Sequence, residues 1–379
     1  MSQLTLPRWF TPTLIVALFL GAYLGSILAR AGGDPLVFVY LGGGFRDGQP
    51  LGEKLGYDGQ FAYLIALDPD PASVAAQLDI PAYRYQRILY PLLARVFAFG
   101  LPGLVPWTLV LVNFAAQIAG TFLLERILVL QGVSRWYALS YGLWAGLVMA
   151  VRLDLNEPLC YTLVACAALA HQRNRLWLSA LWLGLAMFAK ETAGVFLAAY
   201  LASGLAASFT TPLRPRPRSA WLPFAVSLLP FALFQFLLLQ WFGRFGFGAG
   251  GYLGTPFEWI PYMGLWRIGE ISLAALGILA VILVPLAVLP SLGGIAASVK
   301  QLWAGDFSPP VLALAAHAGF IPFTPSSTFR EPLAMTRLAV GLVLASILFG
   351  GHLKSKRALT YSLFWLAGLA YLPLYLRIP

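Results

Sequence analysis

The chain has 379 residues, of which 59% are hydrophobic and only 11% are charged, and its mean hydropathy is +0.77. This small number of polar groups cannot cover the surface of a soluble protein of this length. The composition therefore excludes an ordinary soluble globular protein. The formal net charge is +10, but the arginines fall mainly in short breaks between apolar segments. Basic residues in the short loops between apolar segments are typical of membrane proteins. The positive charge therefore argues against nucleic acid as a partner.

The first apolar segment covers residues 10–29. It is long enough to cross a bilayer, which takes roughly 20 apolar residues, and it lacks the small-residue cleavage site of a signal peptide, so we expect a retained anchor. We predict an all-α polytopic membrane protein, one integral membrane domain over residues 1–379 with about eleven transmembrane helices. The predicted segments are 10–29, 104–130, 136–151, 158–171, 176–189, 193–209, 221–241, 271–290, 310–323, 334–350 and 358–376.

The charge distribution fixes the predicted orientation. With the amino terminus in the cytoplasm, the basic turns fall on the cytoplasmic side, as the positive-inside rule requires: Arg135, His171 to Arg175, Arg214 to Arg218, Lys300 and Lys354 to Arg357. All acidic residues except Glu125 and Asp306 then face the outside, Asp47 among them. We therefore expect any chemistry on the non-cytoplasmic face.

A long first external loop, residues 30–103, holds the densest group of polar residues. Asp58 and Gly59 begin a predicted amphipathic helix that ends at Asp68, because the prolines that follow cannot continue it. A second short helix is predicted over 72–78 and a third begins near Pro81. Apolar and aromatic faces beside a membrane favour helices that lie on its surface.

Asp58 is the first candidate for chemistry in this loop, with Tyr57 and Gln60 beside it. A carboxylate just above a bilayer can accept a proton from an attacking hydroxyl, as a general base does. The competing interpretation is a helix N-cap. Turn or capping roles are favoured for Asp68, Asp70 and Asp79.

Arg84 and Arg87 are three residues apart and therefore share a helix face. Arginine offers a planar fork of donors that suits phosphate oxygens, while lipid headgroups or a loop carboxylate are alternative partners. In the next external turn, Asp154 and Glu157 have a spacing that can place them on a common face after Arg152. Hydroxyl binding, a divalent metal and a salt bridge to Arg152 all suit this turn.

Two further external clusters complete the predicted site. Lys190 and Glu191 stand directly between two apolar segments, where an inward-facing pair and a lysine that reaches the interface are both consistent with the sequence. Arg330 and Arg337 are about two helical turns apart, with Glu331 and Pro332 between them. If the helix begins at Arg330, both arginines line one face and can hold a lipid phosphate; headgroup anchoring is the alternative.

Several common catalytic motifs are missing from the sequence. The glycine-rich run 246–254 lacks the lysine of a phosphate-binding loop, and no zinc-protease or nucleophile-elbow motif occurs. Cys160 and Cys166 lie six apart in one apolar segment, which favours two small buried residues over a disulfide or metal pair.

The chain resembles the GT-C superfold of polytopic membrane glycosyltransferases, including the membrane proteins of bacterial cell-surface glycopolymer assembly. The resemblance rests on these segments: Tyr57-Asp58-Gly59-Gln60, Tyr83 to Pro91, Lys190-Glu191-Thr192, and Arg330-Glu331-Pro332 with Arg337. The resemblance implies a location in a bacterial inner (plasma) membrane, with the active site facing the periplasm. It also implies that Asp58 is the base or acceptor-positioning group of the first loop. Gly59 stands where the family usually has a second acidic residue, so the resemblance assigns no cofactor and leaves a divalent metal open.

The resemblance implies transfer of a hexosyl or pentosyl group from a polyprenyl-phosphate donor to a lipid-linked or glycan acceptor, with membrane lipids as surroundings. Arginines 84, 87, 330 and 337, with Lys190, would then neutralise the leaving phosphate. A transporter or flippase of lipid-linked sugars would use the same arginines, although such proteins often have repeated halves and no repeat is visible here. A non-catalytic assembly subunit is the third hypothesis.

Overall fold

A computed structural model describes residues 9–46, 48–209, 219–248 and 250–375. The chain is almost entirely α-helical in these ranges, and a single two-stranded antiparallel hairpin pairs Phe45 with Pro50. The predicted cytoplasmic turn Arg214 to Arg218 and the predicted external Asp47 lie outside the described residues.

The first part of the fold is one long helix followed by short elements. These elements are α1 (Pro12–Arg30), α2 (Leu36–Val39), β1 (Phe45–Arg46), β2 (Gln49–Pro50), α3 (Gly59–Leu67), α4 (Pro71–Val74), α5 (Pro81–Tyr85) and α6 (Leu89–Phe97). The helix predicted after Asp58 is therefore confirmed as α3. The predicted helix 72–78 is α4 continued by a 3₁₀ turn over Ala75–Gln77, and the helix predicted near Pro81 is α5.

Helices of 4 to 26 residues make up the rest of the described fold. They are α7 (Val105–Leu130), α8 (Leu139–Gly142), α9 (Ala145–Arg152), α10 (Glu157–Gln172), α11 (Leu176–Ala189), α12 (Gly194–Phe209), α13 (Leu222–Phe242), α14 (Met263–Ile271), α15 (Leu273–Leu283) and α16 (Leu289–Trp303). The last six are α17 (Pro309–Phe320), α18 (Ser326–Arg330), α19 (Pro332–Leu338), α20 (Val340–His352), α21 (Lys356–Phe364) and α22 (Leu372–Tyr375).

Among the residues that the structure describes, five helices are long and apolar enough to cross a membrane: Pro12–Arg30, Pro102–Leu130, Glu191–Phe209, Leu222–Phe242 and Leu273–Trp303. A sixth span forms if α19 and α20, which meet at an angle of 41°, count as one. The chain therefore has the helices of an integral membrane protein, but the predicted count of eleven is not confirmed.

The shortfall has a physical reason in the middle of the chain. The segment predicted over 136–151 is broken into a 3₁₀ turn, α8 and α9, and α10 and α11 have 16 and 14 residues. All of α9 and most of α10 are buried inside the protein. Hydropathy does not distinguish a helix buried among other helices from one surrounded by lipid, so these segments resemble spans in the sequence.

Close helix crossings position the site. Trp144, just before α9, donates its indole N–H to the carbonyl of Thr336 at 2.7 Å. A Cβ on Gly146 would overlap that same carbonyl, so α9 and α19 approach each other more closely than a larger residue permits. This crossing places Arg337, the next residue of α19, against the start of α10.

Candidate active site

Asp58 is at the N-cap position of α3, but its side chain makes no capping hydrogen bond and its backbone is already helical. Its carboxylate instead joins two arginines: Oδ1 is 3.0 Å from Arg84 Nη1, and Oδ2 is 3.0 Å from Arg337 Nη2. The capping interpretation of Asp58 is therefore wrong. Asp70, by contrast, caps α4 through the N–H groups of Ala72 and Ser73, as predicted.

Arg84 is held from its other edge by Asp79. Arg84 Nε and Nη2 donate to the two oxygens of Asp79 at 2.7 and 2.8 Å, and the guanidinium lies 4.1 Å from the centre of the Phe61 ring. Asp79 also accepts from the N–H groups of Ile80 and Tyr252. The prediction of a turn role for Asp79 missed this part of the site, since the carboxylate orients Arg84 toward Asp58.

Arg337 is anchored in a similar way by Glu157. Arg337 Nε donates to Glu157 Oε1 at 2.8 Å, and the same oxygen accepts from Lys190 Nζ at 2.5 Å. Arg337 Nη1 also donates to the hydroxyl of Tyr57 at 3.1 Å, and that hydroxyl donates to Glu331 at 2.8 Å. Three regions that are distant in the sequence therefore meet at one guanidinium.

A neighbouring pair joins Arg87 to Glu191. Arg87 Nε and Nη2 donate to the two oxygens of Glu191 at 2.8 and 2.6 Å, and Nη2 also donates to the Tyr83 hydroxyl at 2.6 Å. Of the two orientations that the sequence left open for Lys190 and Glu191, the structure has the inward one, because each pairs with a buried or nearly buried group of opposite charge. Arg84 and Arg87 line one pocket, but they do not share a helix face as predicted, because α5 ends at Tyr85 and Arg87 lies in the turn after it.

The ion pairs form a balanced, mostly buried cluster. Its four acids are Asp58, Asp79, Glu157 and Glu191, and its four bases are Arg84, Arg87, Lys190 and Arg337. The Asp58 side chain is 32% exposed, whereas Asp79 and Glu157 are 2% and 0% exposed. Asp58 is therefore the member of the cluster that is most accessible to a ligand.

The electrostatic environment keeps Asp58 and Glu157 ionised. Burial alone would raise the pKa of Asp58, but Arg84 and Arg337, with a smaller effect from Arg87, outweigh it and hold this pKa below its ordinary value. Burial likewise opposes ionisation of Glu157, but Arg337 and Lys190 lower the pKa of this group to about 2. Both groups are carboxylates at neutral pH.

Asp58 opens onto a small pocket. The pocket is lined by Asp58, Phe61, Ala62, Ile65, Arg84, Arg87, Pro91, Asp154, Leu155, Asn156 and Arg337. Seven of these residues belong to the first predicted loop, and the others come from the turn before α10 and from α19. The pocket therefore combines a carboxylate, three guanidinium groups and an apolar wall.

Asp154 lies in this pocket lining and is fully buried. Its Oδ1 accepts a long hydrogen bond from the Tyr90 hydroxyl, 3.5 Å away, and its Oδ2 has no partner among the described residues. Burial raises the pKa of Asp154 well above its ordinary range, and Arg152 and Tyr90 oppose this only in part. The predicted Arg152 salt bridge is wrong, because Arg152 Nη1 donates to the carbonyl of Val37 at 2.9 Å and forms no ion pair within the described ranges.

Two predicted substrate contacts are corrected. The Gln60 side chain is buried and both ends of its amide are used, since it donates to the carbonyl of Leu55 at 2.7 Å and accepts from Gly42 N at 3.1 Å. Gln60 thus shapes the loop. Arg330 ends α18 and is exposed, and Glu331 interrupts the helix before α19, so Arg330 does not share a face with Arg337.

The close packing around Gly59 leaves no room for a second acidic side chain beside Asp58. A Cβ at this position would overlap the carbonyl oxygen of Leu153 and press on Asp154. The start of α3 therefore rests directly on the 153–154 backbone, which brings Asp58 and Asp154 to one pocket. Within the ranges that the structure describes, no group of three or more His, Cys, Asp or Glu side chains is arranged to hold a metal ion.

Cys160 is buried and Cys166 half-buried, and both are free thiols.

The residues that sequence reasoning missed are Asp79 and Asn156, the latter in the pocket lining. Asp79 had a usable signal, because an acid two residues before a helix-starting Pro81 can reach Arg84 one turn into that helix.

No known family model matches the chain, and neither curated proteins nor solved structures give a match.

Proposed function

We propose that the protein is a membrane glycosyltransferase that moves a sugar from a polyprenyl-phosphate donor to a lipid-linked or cell-surface glycan acceptor on the non-cytoplasmic face. The observation that carries the proposal is the position of Asp58, an accessible carboxylate whose two oxygens each contact a differently anchored arginine at 3.0 Å. A base and two phosphate-binding groups are then side by side next to helices suited to a membrane.

The proposed reaction is an inverting displacement. The acceptor oxygen forms a bond to the anomeric carbon while the bond from that carbon to the phosphate oxygen breaks. The acceptor proton passes to Asp58, and the electron pair leaves with the lipid phosphate. Arg84 and Arg337, with Arg87 beside them, stabilise the negative charge that builds on the phosphate. Lys190 acts through Glu157, which orients Arg337.

Asp58 is a weak base while two arginines hold it, because ion pairing lowers its proton affinity. Binding of the donor would remove this ion pairing. The phosphate oxygens would take the place of the Asp58 oxygens as hydrogen-bond acceptors of Arg84 Nη1 and Arg337 Nη2. Asp79 and Glu157 keep both guanidinium groups in position during the exchange. The released carboxylate then gains proton affinity when the donor is bound.

The topology of the proposal follows the charge distribution of the sequence. With the amino terminus in the cytoplasm, the pocket lies at the outer face of a bacterial inner membrane. The surrounding lipid supplies the donor laterally.

The test uses the full chain in proteoliposomes with a radiolabelled polyprenyl-phosphate sugar and an extract of acceptor lipids. We expect Asp58→Asn to abolish sugar transfer, whereas Glu53→Gln, which neutralises an exposed acid in the same region, leaves it unchanged. Undiminished transfer by folded Asp58→Asn would exclude Asp58 as the base. Movement of the labelled lipid across the bilayer without a glycosidic product would instead favour a transporter.

A further inference from the structure

The floor of the pocket contains two polar side chains whose hydrogen-bonding capacity is unused. Asp154 Oδ2 and Asn156 Oδ1 are both buried and have no partner among the described residues. Both residues line the pocket together with Asp58. Buried polar groups in folded proteins are nearly always hydrogen-bonded, so two such groups in the lining of one pocket are suited to bind a polar ligand.

The surroundings of Asp154 determine what it can offer such a ligand. No ion pair includes Asp154 in the described ranges, and its one protein partner is the Tyr90 hydroxyl at 3.5 Å. An unpaired carboxylate in a fully buried position is costly, so burial raises the pKa of Asp154 and favours the protonated form, and the charge of Arg152 opposes this only in part. A protonated carboxyl has an O–H to donate, which an ionised carboxylate does not.

The supporting contacts are arranged to hold Asp154 in place. Asn113 Nδ2 donates to the Tyr90 hydroxyl and to the carbonyl of Leu155, both at 2.8 Å, and the single Tyr90 hydroxyl proton is shared between the carbonyl of Leu109 at 2.9 Å and Asp154 Oδ1 at 3.5 Å. Asp154 itself has a φ of 51°, in the left-handed region that few non-glycine residues adopt. Such backbone conformations persist where the surrounding structure enforces them, and they are concentrated at functional sites.

We propose that Asp154 and Asn156 form a hydroxyl-binding subsite, in which Asp154 is a neutral carboxylic acid that donates a hydrogen bond and Asn156 Oδ1 accepts one. Its ligand class is a polyol, and within the proposed function, on which the identity of the ligand rests, that polyol is the sugar of the donor. Asp58 and Asp154 then have different tasks in one pocket, an ionised group at the accessible rim and a neutral one at the floor.

The first experiment tests the protonation of Asp154 without any ligand. Infrared spectra of the full chain in nanodiscs at neutral pH should contain the carbonyl band of a protonated carboxylic acid, and Asp154→Asn should lack it. Identical spectra in that region for the two proteins would overturn the proposal, whatever the protein's activity.

The second experiment tests the subsite with two probes, a polyprenyl-phosphate sugar and the same polyprenyl phosphate without sugar. Asn156→Ala should weaken binding of the sugar-bearing lipid about fivefold, as expected for one lost hydrogen bond, and should leave the sugar-free lipid unaffected. Asp154→Asn, which keeps a neutral donor, should bind both lipids as the unsubstituted protein does, whereas Asp154→Leu should lose preference for the sugar.

The two probes separate the outcomes. Equal weakening of both lipids by Asn156→Ala, or equal binding of the two lipids by the unsubstituted protein, would overturn the subsite and leave the phosphate-binding role of the arginines intact. Failure of the unsubstituted protein to bind either lipid would overturn the polyprenyl-phosphate donor and, with it, the sugar as the ligand of this subsite.

Discussion

Arg337 and Glu157 are 180 residues apart in the chain, yet Arg337 Nε lies 2.8 Å from Glu157 Oε1 in a buried ion pair. The same oxygen binds Lys190, so one carboxylate compensates two cations. We expect Glu157→Gln to lower the free energy of unfolding by about 3 kcal/mol, because removing one partner leaves uncompensated buried charge. Thermal unfolding in detergent measures this change.

A matched control for Glu157→Gln is Glu331→Gln, which replaces an exposed carboxylate that binds the Tyr57 hydroxyl. Its effect should be below about 1 kcal/mol, as for ordinary surface contacts. Equal destabilisation by the two variants would show that the buried ion pair contributes no more to the free energy of unfolding than a surface contact does.

Stability should also depend on pH through Glu157. Arg337 and Lys190 outweigh the burial of this group and lower its pKa from 4.5 to about 2. Because the folded-state pKa is the lower one, the stabilisation is complete above the unfolded value and is lost as the pH falls from about 4.5 toward about 2. Unfolding midpoints measured across this range should fall less steeply in Glu157→Gln. Parallel curves for the two proteins would contradict the assignment.

Asp58→Asn should bind polyprenyl phosphate more tightly while losing transfer. The substitution removes the negative charge that competes for Arg84 and Arg337, so the anion no longer has to displace a carboxylate. We expect roughly a tenfold gain in affinity, the scale of one hydrogen bond to a charged group. Equilibrium binding of a labelled lipid measures it, with Glu53→Gln as the charge-matched control. Weaker binding by Asp58→Asn would place the phosphate elsewhere.

Arg330 and Arg337 offer a direct comparison of two arginines in one short region. Arg337→Gln removes a guanidinium that contacts Asp58 and lines the pocket, so transfer should fall by about 10² or more. Arg330 is exposed, and Arg330→Gln should keep transfer within about twofold, as surface substitutions usually do. Initial rates at saturating donor make the comparison, and equal losses would restore Arg330 to the site.

Gly59→Ala should reduce transfer without changing any charged group. The added methyl would overlap the carbonyl of Leu153 and push α3 away from the turn that carries Asp154. Displacements of this size commonly cost about 10²-fold in rate. Gly52→Ala is the control, since a Cβ there meets nothing within 4 Å. Normal rates for Gly59→Ala would mean that the contact between α3 and Leu153 is not needed for transfer.

Much of the local structure was accessible from the sequence, because Pro and Asp mark the ends of α3, α4 and α5. The inward pairing of Lys190 and Glu191 was also predictable, since two charges between apolar segments need partners. The identity of those partners was not, because Glu157 and Arg87 meet them only through tertiary packing. The break at Glu331 that separates Arg330 from Arg337 was accessible from the sequence, because Pro332 disfavours helical geometry in the residue before it.

The equal number of acids and bases around Asp58 has a consequence for turnover under the proposed function. The empty cluster is electrically neutral, so a lipid phosphate that enters it adds negative charge that no spare cation balances. Once Asp58 passes its acquired proton to water, its carboxylate again competes for Arg84 and Arg337. Asp58, which accepts the proton in the transfer step, would thus also displace the polyprenyl phosphate that remains after transfer. This displacement would prevent inhibition by that product.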